Sequence, residues 1–234
     1  MGEMIEYFWI FGVPLLLLML FVVSHVVRRR RARRLTEFAE SHGWTCKHSW
    51  GLIGPGAKYT IRPQVSGAWE LRVRRSSYGR GFRVAGKSEF RAPAPSFAGG
   101  FAMFVSTGGS NFGLYGLAKV LRAVGLVFGK RIMRWMFGAQ LGESIHLLKA
   151  FETPEEIELA VFATADPRNK FDLKTISRAV HRMSGHHPFR PSVRIGNGLQ
   201  VVEDGEVEFP GSGEAFIAGC LELCAALQRD QGRI

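Results

Sequence analysis

The sequence predicts an α+β protein: one N-terminal transmembrane helix, followed by a soluble domain of antiparallel sheet packed with helices, arranged as one unit or as two halves. Three observations support this prediction. Residues 7–27 carry no charge, and six arginines follow within residues 28–34. Several later segments alternate apolar and polar residues with the period of two that is typical of half-buried strands. Other segments repeat their apolar residues at helical spacing.

The uncharged segment predicts a membrane anchor. At about 1.5 Å per helical residue it reaches roughly 30 Å, the hydrocarbon thickness of a bilayer. A cleaved signal peptide would instead carry basic residues before a shorter apolar core and a small-residue cleavage site after it. The leader holds Glu3 and Glu6 and no Lys or Arg. We therefore expect an uncleaved anchor, with the N-terminus outside and the C-terminal domain in the cytoplasm, because the arginines follow the span.

Charge divides the chain into three regions. We predict an anchor with a polybasic stop over residues 1–34, a basic sheet-plus-helix region over 35–142 and an acidic α+β region over 143–234. Residues 1–142 hold 21 Lys+Arg and 6 Asp+Glu, whereas residues 143–234 hold 10 and 14, and the whole chain carries +11. A basic surface beside an anionic leaflet gains on the order of 1 kcal/mol per well-placed Lys or Arg. Arginines that only solvate a sheet face are the alternative, and the sequence favours neither.

The basic region predicts the end of a helix and then a sheet. Leu35, Phe38 and Ala39 form a short apolar stripe, and Gly43 has the position of a helix C-cap, so we expect the membrane helix to continue to about residue 42. Alternating or β-rich residues predict about four or five antiparallel strands with one strongly basic face. The predicted strands cover residues 44–50, 69–74, 82–91 and 100–107, with a turn at 79–81.

Residues 114–137 predict an amphipathic helix. Its apolar residues fall on one side of a helical wheel, and the cations Lys119, Arg122, Lys130 and Arg134 fall on the opposite side. Charges near the bilayer centre would cost about 2.5–3.5 kcal/mol each, so we do not expect this helix to cross the membrane. It either covers the sheet or lies on the membrane surface, and the sequence leaves both positions open.

The acidic region predicts a second unit of strands and helices. Thr153-Pro154-Glu155-Glu156 has the sequence of a helix start, and we expect this turn to lead into a strand over 157–164. A helix is predicted over 171–183. Asn197-Gly198 is a strong hairpin signal between predicted strands at 192–195 and 199–202. Ser212 is the expected cap of the last helix.

No catalytic signature occurs, and we predict a protein that is not an enzyme and holds no cofactor or metal. Cys46 and His48 share one strand face, as a nucleophile and its base would. Cys220 and Cys224 share one helix face, but a structural zinc site needs four ligands. The remaining candidates are His181, His186, His187 and the glycine-rich residues 108–113, which lack the Gly-Lys-Ser/Thr of a phosphate loop. We expect the cysteines to pack in the core, the histidines to lie at the end of a helix and the glycine-rich residues to form a turn. The alternative is a membrane-associated enzyme or a metal-binding protein that uses the His and Cys residues.

The strongest binding signal is a mixture of basic and aromatic residues over 69–91. Such a mixture is typical of single-stranded nucleic-acid binding, and its charges also suit anionic headgroups or an acidic protein. Because the domain is tethered to a membrane, we predict a non-catalytic binding or scaffold domain that contacts anionic lipid or an acidic protein. A membrane tether for nucleic acid is a further alternative. The predicted contact residues are Arg28, Arg29, Arg30, Arg31, Arg72, Arg74, Arg75, Arg80, Arg83, Lys119, Arg122, Lys130 and Arg134.

Overall fold

In its described residues, the chain forms a nine-stranded antiparallel sheet, and two helices pack on one of its faces. The computed structural model describes residues 12–49, 58–65, 67–74, 77–79, 82–84, 86–93, 97, 100–106, 147–154, 156–184, 191–203 and 205–231. Within them the helices are α1 (Val13–Ser41), α2 (Leu173–Ser184) and α3 (Ser212–Gln231). The strands are β1 (Trp44–Ser49), β2 (Lys58–Pro63), β3 (Glu70–Arg74), β4 (Ser77–Gly79), β5 (Phe82–Val84), β6 (Lys87–Ala92), β7 (Ala102–Ser106), β8 (Lys149–Phe151), β9 (Leu159–Ala163), β10 (Ser192–Ile195) and β11 (Leu199–Glu203).

The order of the large sheet joins both charge regions of the sequence. Its strands lie in the order β1-β2-β3-β6-β11-β10-β7-β9-β8, while β4 and β5 form a separate hairpin. Every described pairing is antiparallel. The two regions meet where β6 pairs with β11, with Phe90 opposite Val201. The strands before and after residue 142 therefore build one sheet rather than two.

The inner face of the sheet holds the core. Because side chains alternate between faces along a strand, the register brings one apolar residue of each strand into a single row. α2 and α3 cover this face and add Ile176, Val180, Phe216 and Ile217 to the same cluster. The row crosses the sheet through Cys46, Ile61, Leu71, Phe90, Val201, Val193, Phe104, Val161 and Phe151.

The outer face is divided into a polar part and an apolar part. On β7 and β9 it presents Met103, Val105 and Phe162, which form a second small cluster with Phe101 and Leu148. On β1, β2, β3 and β6 it presents charged residues instead. The charged part is therefore the part of the sheet nearest α1.

α1 is one continuous helix from Val13 to Ser41, as the sequence predicts. The chain leaves the helix through His42 and Gly43, and the Gly43 φ of 69° is a left-handed conformation that glycine adopts without the cost of a Cβ. The last turns pack on the domain: Ala39 is fully buried, and the Phe38 ring lies 5.6 Å from Phe209. The expected continuation of the helix to about residue 42 is confirmed.

The first part of α1 is exposed, in contrast to its last turns. Its large apolar side chains are exposed, for example Leu17 at 60% and Phe21 at 67%, and this exposure extends to Val27. Among the described residues, no helix has the length and the unbroken apolar character needed to cross a bilayer. Residues 7–11 of the predicted span lie outside the described residues.

Several predicted elements are confirmed, and others differ. The predicted helix at 171–183, the hairpin around Asn197-Gly198 and the strand within 157–164 correspond to α2, β10–β11 and β9. The predicted strand at 82–91 is two strands, because β5 pairs with β4 whereas β6 joins the large sheet. β2, β4 and β8 were not predicted. The predicted helix at 114–137 lies outside the described residues.

We predict that Leu71→Ala lowers the free energy of unfolding by about 2–5 kcal/mol, because it removes a fully buried side chain from the central row and leaves a cavity. The measurement is chemical unfolding in detergent, followed by tryptophan fluorescence. Val65→Ala is the control, since Val65 is 77% exposed, and it should change the free energy by less than about 0.5 kcal/mol. Equal effects of the two variants would contradict this assignment of the core.

Candidate anion-binding surface

The charged face is the outer surface of β1, β2, β3 and β6. Its cations outnumber its carboxylates, and both kinds stand next to each other across neighbouring strands. Opposite charges on adjacent strands stabilise a sheet, whereas like charges directly opposite each other destabilise it. The described side chains of this face are Lys47, Arg62, Arg72, Arg74, Lys87 and Arg91, with Glu70 and Glu89 between them.

Glu70 is the centre of one ion-pair group. Arg72 donates from Nε to Oε1 at 2.8 Å and from Nη2 to Oε2 at 3.1 Å, so it holds both carboxylate oxygens. Arg62 adds one bond from Nη2 to Oε1 at 2.9 Å. The hydrogen bond from Arg72 is the main reason that the pKa of Glu70 lies below its ordinary value, and Glu70 is therefore ionised at neutral pH.

Glu89 is the centre of a second group and is the more deeply buried of the two carboxylates. Arg91 donates from Nε to Oε1 at 2.6 Å, and the Gln200 amide on β11 donates to the same oxygen. Burial raises the pKa of Glu89, but the bonds from Arg91 and Gln200 outweigh it, so the pKa lies below its ordinary value. Glu89 thus ties β6 to β11 at the junction of the two sequence regions.

The cations of the charged face differ in how they are paired. Arg72 and Arg91 are committed to carboxylates. Among the described residues, Lys47, Arg74 and Lys87 form no salt bridge within 4.0 Å. The sequence predicts a strongly basic face; in the described residues this face is a lattice of ion pairs with a surplus of cations.

The charged face has two ends, which the packing of α1 distinguishes. Thr36 Oγ1 lies 3.4 Å from His48 Nε2, whereas His42 stacks on Trp44 at 4.9 Å. β1 therefore runs back along α1 toward the arginines of that helix. We call the end of the sheet that contains Ser49 the arginine end, and the end that contains Trp44 the far end.

The arginine end carries Arg74 and Lys87, which form no salt bridge within 4.0 Å among the described residues. Arg74 pairs in register with Lys87, and Lys58 joins the same row opposite Ser49. Arg74 is exposed and Lys87 is partly exposed. The β4–β5 hairpin leaves and re-enters the sheet at this end, since it connects Arg74 to Lys87.

The far end holds a cleft of about 530 Å³. Its ionisable lining residues are Lys47, Arg62, Arg91 and Glu70, so cations prevail. The side chains of Arg62 and Arg91 are 49% and 50% exposed. The other lining residues are Thr45, Pro63, Gln64, Gly67, Trp69, Ala92 and Pro93.

The cysteines pack as the sequence predicts and are not activated. Cys46 Sγ lies 3.4 Å from His48 Nε2, yet burial raises the pKa of Cys46 to about 11. A nucleophilic cysteine needs a lowered pKa, since the thiolate is the reactive form. Burial likewise raises the pKa of Cys224 to about 11, and Cys220 is fully buried beside Met183. Within the described residues, no three His, Cys, Asp or Glu side chains are grouped to hold a metal.

The basic and aromatic residues do not share one surface where they are described. Trp69 and Phe90 are buried in the core and stack on each other at 5.6 Å, whereas Arg72 and Arg91 lie on the outer face. Rings in this position cannot stack on bases. The mixture that suggested nucleic-acid binding is thus divided between two faces, and the side chains of Tyr78 and Phe82 lie outside the described part of the chain.

The predicted contact residues fall into three groups. Arg29, Arg30 and Arg31 are exposed on α1, where Arg28 is also placed. Arg72 and Arg74 lie on the charged face, and Arg83 belongs to β5. The others lie outside the described residues: Arg75, Arg80, Lys119, Arg122, Lys130 and Arg134, together with His186 and His187 of the metal hypothesis.

Several residues of the charged face were not predicted from the sequence. Lys47 and Arg62 were not among the candidates, and Glu70 and Glu89 were not expected to hold arginines. The alternation in Lys58-Tyr59-Thr60-Ile61-Arg62-Pro63 is a signal that could have located β2 and with it Arg62. The pairing of the carboxylates depends on strand register, which no local pattern reveals.

Comparison with known proteins gives little further information. No protein-family model and no curated protein matches the chain. Among solved structures, the crystal structure of the mycobacterial trehalose monomycolate transport factor A, TtfA, is similar, with 12% identity and a TM-score of 0.39. The alignment covers 85% of this chain and 95% of that one. Similarity at this level supports no conclusion about this protein.

We predict that Glu89 stabilises the fold at neutral pH and not in acid. Its pKa is lowered in the folded state, so its contribution is present above the ordinary carboxyl pKa of about 4.3 and is lost as the pH falls through the folded value. Glu89→Gln should lower the free energy of unfolding by about 1.5–3 kcal/mol at pH 7, because charge-assisted hydrogen bonds are lost. Unfolding measured from pH 7 down to pH 3 should show the two proteins converging. A constant difference across this range would contradict the assignment.

Proposed function

We propose that this chain is a membrane-anchored, non-catalytic binding protein, whose charged face contacts the anionic headgroups of the bilayer that holds it. The observation that carries the proposal is α1 itself. One uninterrupted helix runs from exposed apolar residues, through an arginine cluster, into the packed part of the domain.

The apolar part of α1 supports an anchor. Residues 7–27 are uncharged in sequence, and the side chains from Leu15 to Val23 are each more than half exposed. Contiguous exposed apolar surface in a protein marks a site that meets another apolar phase. Arginines that follow such a segment favour its cytoplasmic side, which places the sheet in the cytoplasm in this proposal.

The direction of β1 supports a contact between the arginine end and the bilayer. Thr36 lies eight residues beyond Arg28, or about 12 Å along the helix axis, and β1 then advances toward Arg28 by about 3 Å from His48 to Ser49. Measured along the helix axis, Ser49 at the arginine end is thus on the order of 10 Å from Arg28. This distance is close to the Debye length of about 8 Å at physiological salt.

The charge at the arginine end has the sign that an anionic leaflet attracts. Arg74 and Lys87 form no salt bridge there among the described residues, and α1, which packs on the edge strand β1 of the same sheet, carries exposed arginines. Each cation close to such a leaflet contributes about 1 kcal/mol to the free energy of membrane binding. In the sequence, Arg75, Arg80 and Arg83 belong to the same connection between β3 and β6.

We expect the double variant Leu17→Arg, Leu20→Arg to leave the membrane fraction. Two charges within the apolar helix cost about 5–7 kcal/mol in total. The measurement is the distribution between pellet and supernatant after alkaline washing of membranes. Leu147→Arg is the control, because Leu147 is 52% exposed in the domain, and it should remain in the pellet with the unaltered protein. Recovery of the unaltered protein in the supernatant would refute the anchor.

We expect hydrogen exchange in β6 to be slower when the full-length protein is held in anionic nanodiscs than in neutral ones. Arg74→Glu with Lys87→Glu should abolish this difference, because removal of two cations alone costs about 2 kcal/mol, or about thirtyfold in the bound population.

Lys149→Glu with Lys170→Glu is the matched control for this experiment. It changes the net charge by the same amount, but Lys149 pairs with Ala163 at the far end, and Lys170 follows in the next turn. The control should keep the difference between the two lipids. If both double variants behave alike, the contact depends on net charge and not on the arginine end.

A further inference from the structure

The cleft at the far end of the charged face has features that contact with a bilayer does not require. It is concave, its volume of about 530 Å³ lies within the usual range of small-molecule sites, and three cations line it. We propose that this cleft binds a soluble organic phosphate monoester, with Arg62 and Lys47 as the principal anion-binding residues. The choice of a soluble source rests on the membrane anchor proposed above; the site itself does not.

The Arg62 guanidinium can donate hydrogen bonds to a ligand. A guanidinium carries five N–H groups, and the structure gives one bond from Arg62 to Glu70. Glu70 is already held at both oxygens by Arg72, so the bond from Arg62 is not needed to satisfy that carboxylate. The Arg62 side chain is 49% exposed at the cleft, and a planar guanidinium can bind two phosphate oxygens at once.

Lys47 and Arg91 supply the other positive charges that line the cleft. Lys47 is exposed on β1 next to Arg62, and it has no salt bridge among the described residues. Arg91 is bound to Glu89 but still contributes its field to the cleft. When the groups bound to the lining residues are included, the cations are Lys47, Arg62, Arg72 and Arg91 and the anions are Glu70 and Glu89, so two positive charges remain. A phosphate monoester carries about −1.5 to −2 at neutral pH, which matches this surplus.

The remaining walls indicate that the ligand has an organic part. Pro63 and Pro93 supply carbon surface beside the cations, and Trp69 and Ala92 add only the 8% of each residue that the core leaves exposed. A bare phosphate would meet only the charged side of a cleft this large. A compact polyol or sugar attached to the phosphate would cover the apolar side as well.

The position of the cleft separates it from the bilayer. The far end is level with His42, which stacks on Trp44, and His42 lies fourteen residues after Arg28. At about 1.5 Å per residue this is roughly 20 Å along the helix, more than two Debye lengths. A headgroup embedded in the anchoring leaflet would not reach it, so the phosphate should belong to a soluble molecule.

The test is calorimetric titration of the full-length protein, held in neutral nanodiscs, with glycerol 3-phosphate, inorganic phosphate and glycerol. We expect saturable binding of glycerol 3-phosphate, tighter than that of inorganic phosphate, and none of glycerol. Arg62→Ala should weaken it about tenfold or more, because charge-assisted bonds are lost. Glu70→Gln should tighten it severalfold, because a repelling carboxylate is removed. Lys149→Ala, on the opposite edge strand, should leave it unchanged.

Three results would overturn the proposal: no saturation by about 10 mM glycerol 3-phosphate, equal affinities for Arg62→Ala and Lys149→Ala, or no gain in Glu70→Gln. Should Arg62→Ala fail to fold by tryptophan fluorescence, Lys47→Ala takes its place and should also weaken binding. Nanodiscs that contain phosphatidic acid, a lipid phosphate monoester, should not compete; competition would make the source a headgroup and the soluble assignment wrong. Arg74→Glu with Lys87→Glu should retain full affinity for glycerol 3-phosphate, so loss of the bilayer contact and loss of this site are separate outcomes.

Discussion

The packing of the last turns of α1 against β1 is the contact on which the arrangement of the molecule depends. A row of aromatic rings continues this contact from the helix into the core. His42 stacks on Trp44, Trp44 meets Trp69 edge-on at 5.4 Å, and Trp69 stacks on Phe90 in the middle of the sheet. Such aromatic pairs contribute about 0.5–1.5 kcal/mol each beyond the area they bury. The row therefore joins the helix rigidly to the core and fixes which end of the sheet lies beside the arginines.

The carboxylates of the charged face give its cations fixed positions. Without Glu70 and Glu89, the arginines of neighbouring strands would repel one another across the ladder. Each carboxylate binds its arginines at one place, while Lys47, Arg74 and Lys87 form no salt bridge among the described residues. The outcome is two regions with different properties: exposed charge at the arginine end, and a walled cleft at the far end. A long, flexible cation suits contact with a fluid surface, whereas a held guanidinium suits a ligand of defined shape.

Local patterns predicted the elements with strong periodicity or caps. The continuation of α1 followed from an apolar stripe and Gly43, and the β10–β11 hairpin followed from Asn197-Gly198. Local patterns did not predict that β6 pairs with β11, because nothing near Phe90 specifies a partner as distant as Val201. For the same reason the cleft was not predicted: Lys47, Arg62 and Arg91 come from three strands, and only the register brings them together. The aromatic residues of 69–91 were expected beside the arginines, but the pleat placed Trp69 and Phe90 in the core instead.

The junction of β6 and β11 also determines when the protein can fold. The Gln200 amide binds a carboxylate 111 residues earlier in the chain. At a translation rate of about 5–20 residues per second, β1, β2, β3 and β6 wait roughly 6–20 s for the strand that completes the sheet. During this interval β6 is an exposed edge, and exposed edges attract strands of other chains. The ion-paired outer face places charge on each of the waiting strands, in the role of gatekeeper residues that oppose aggregation.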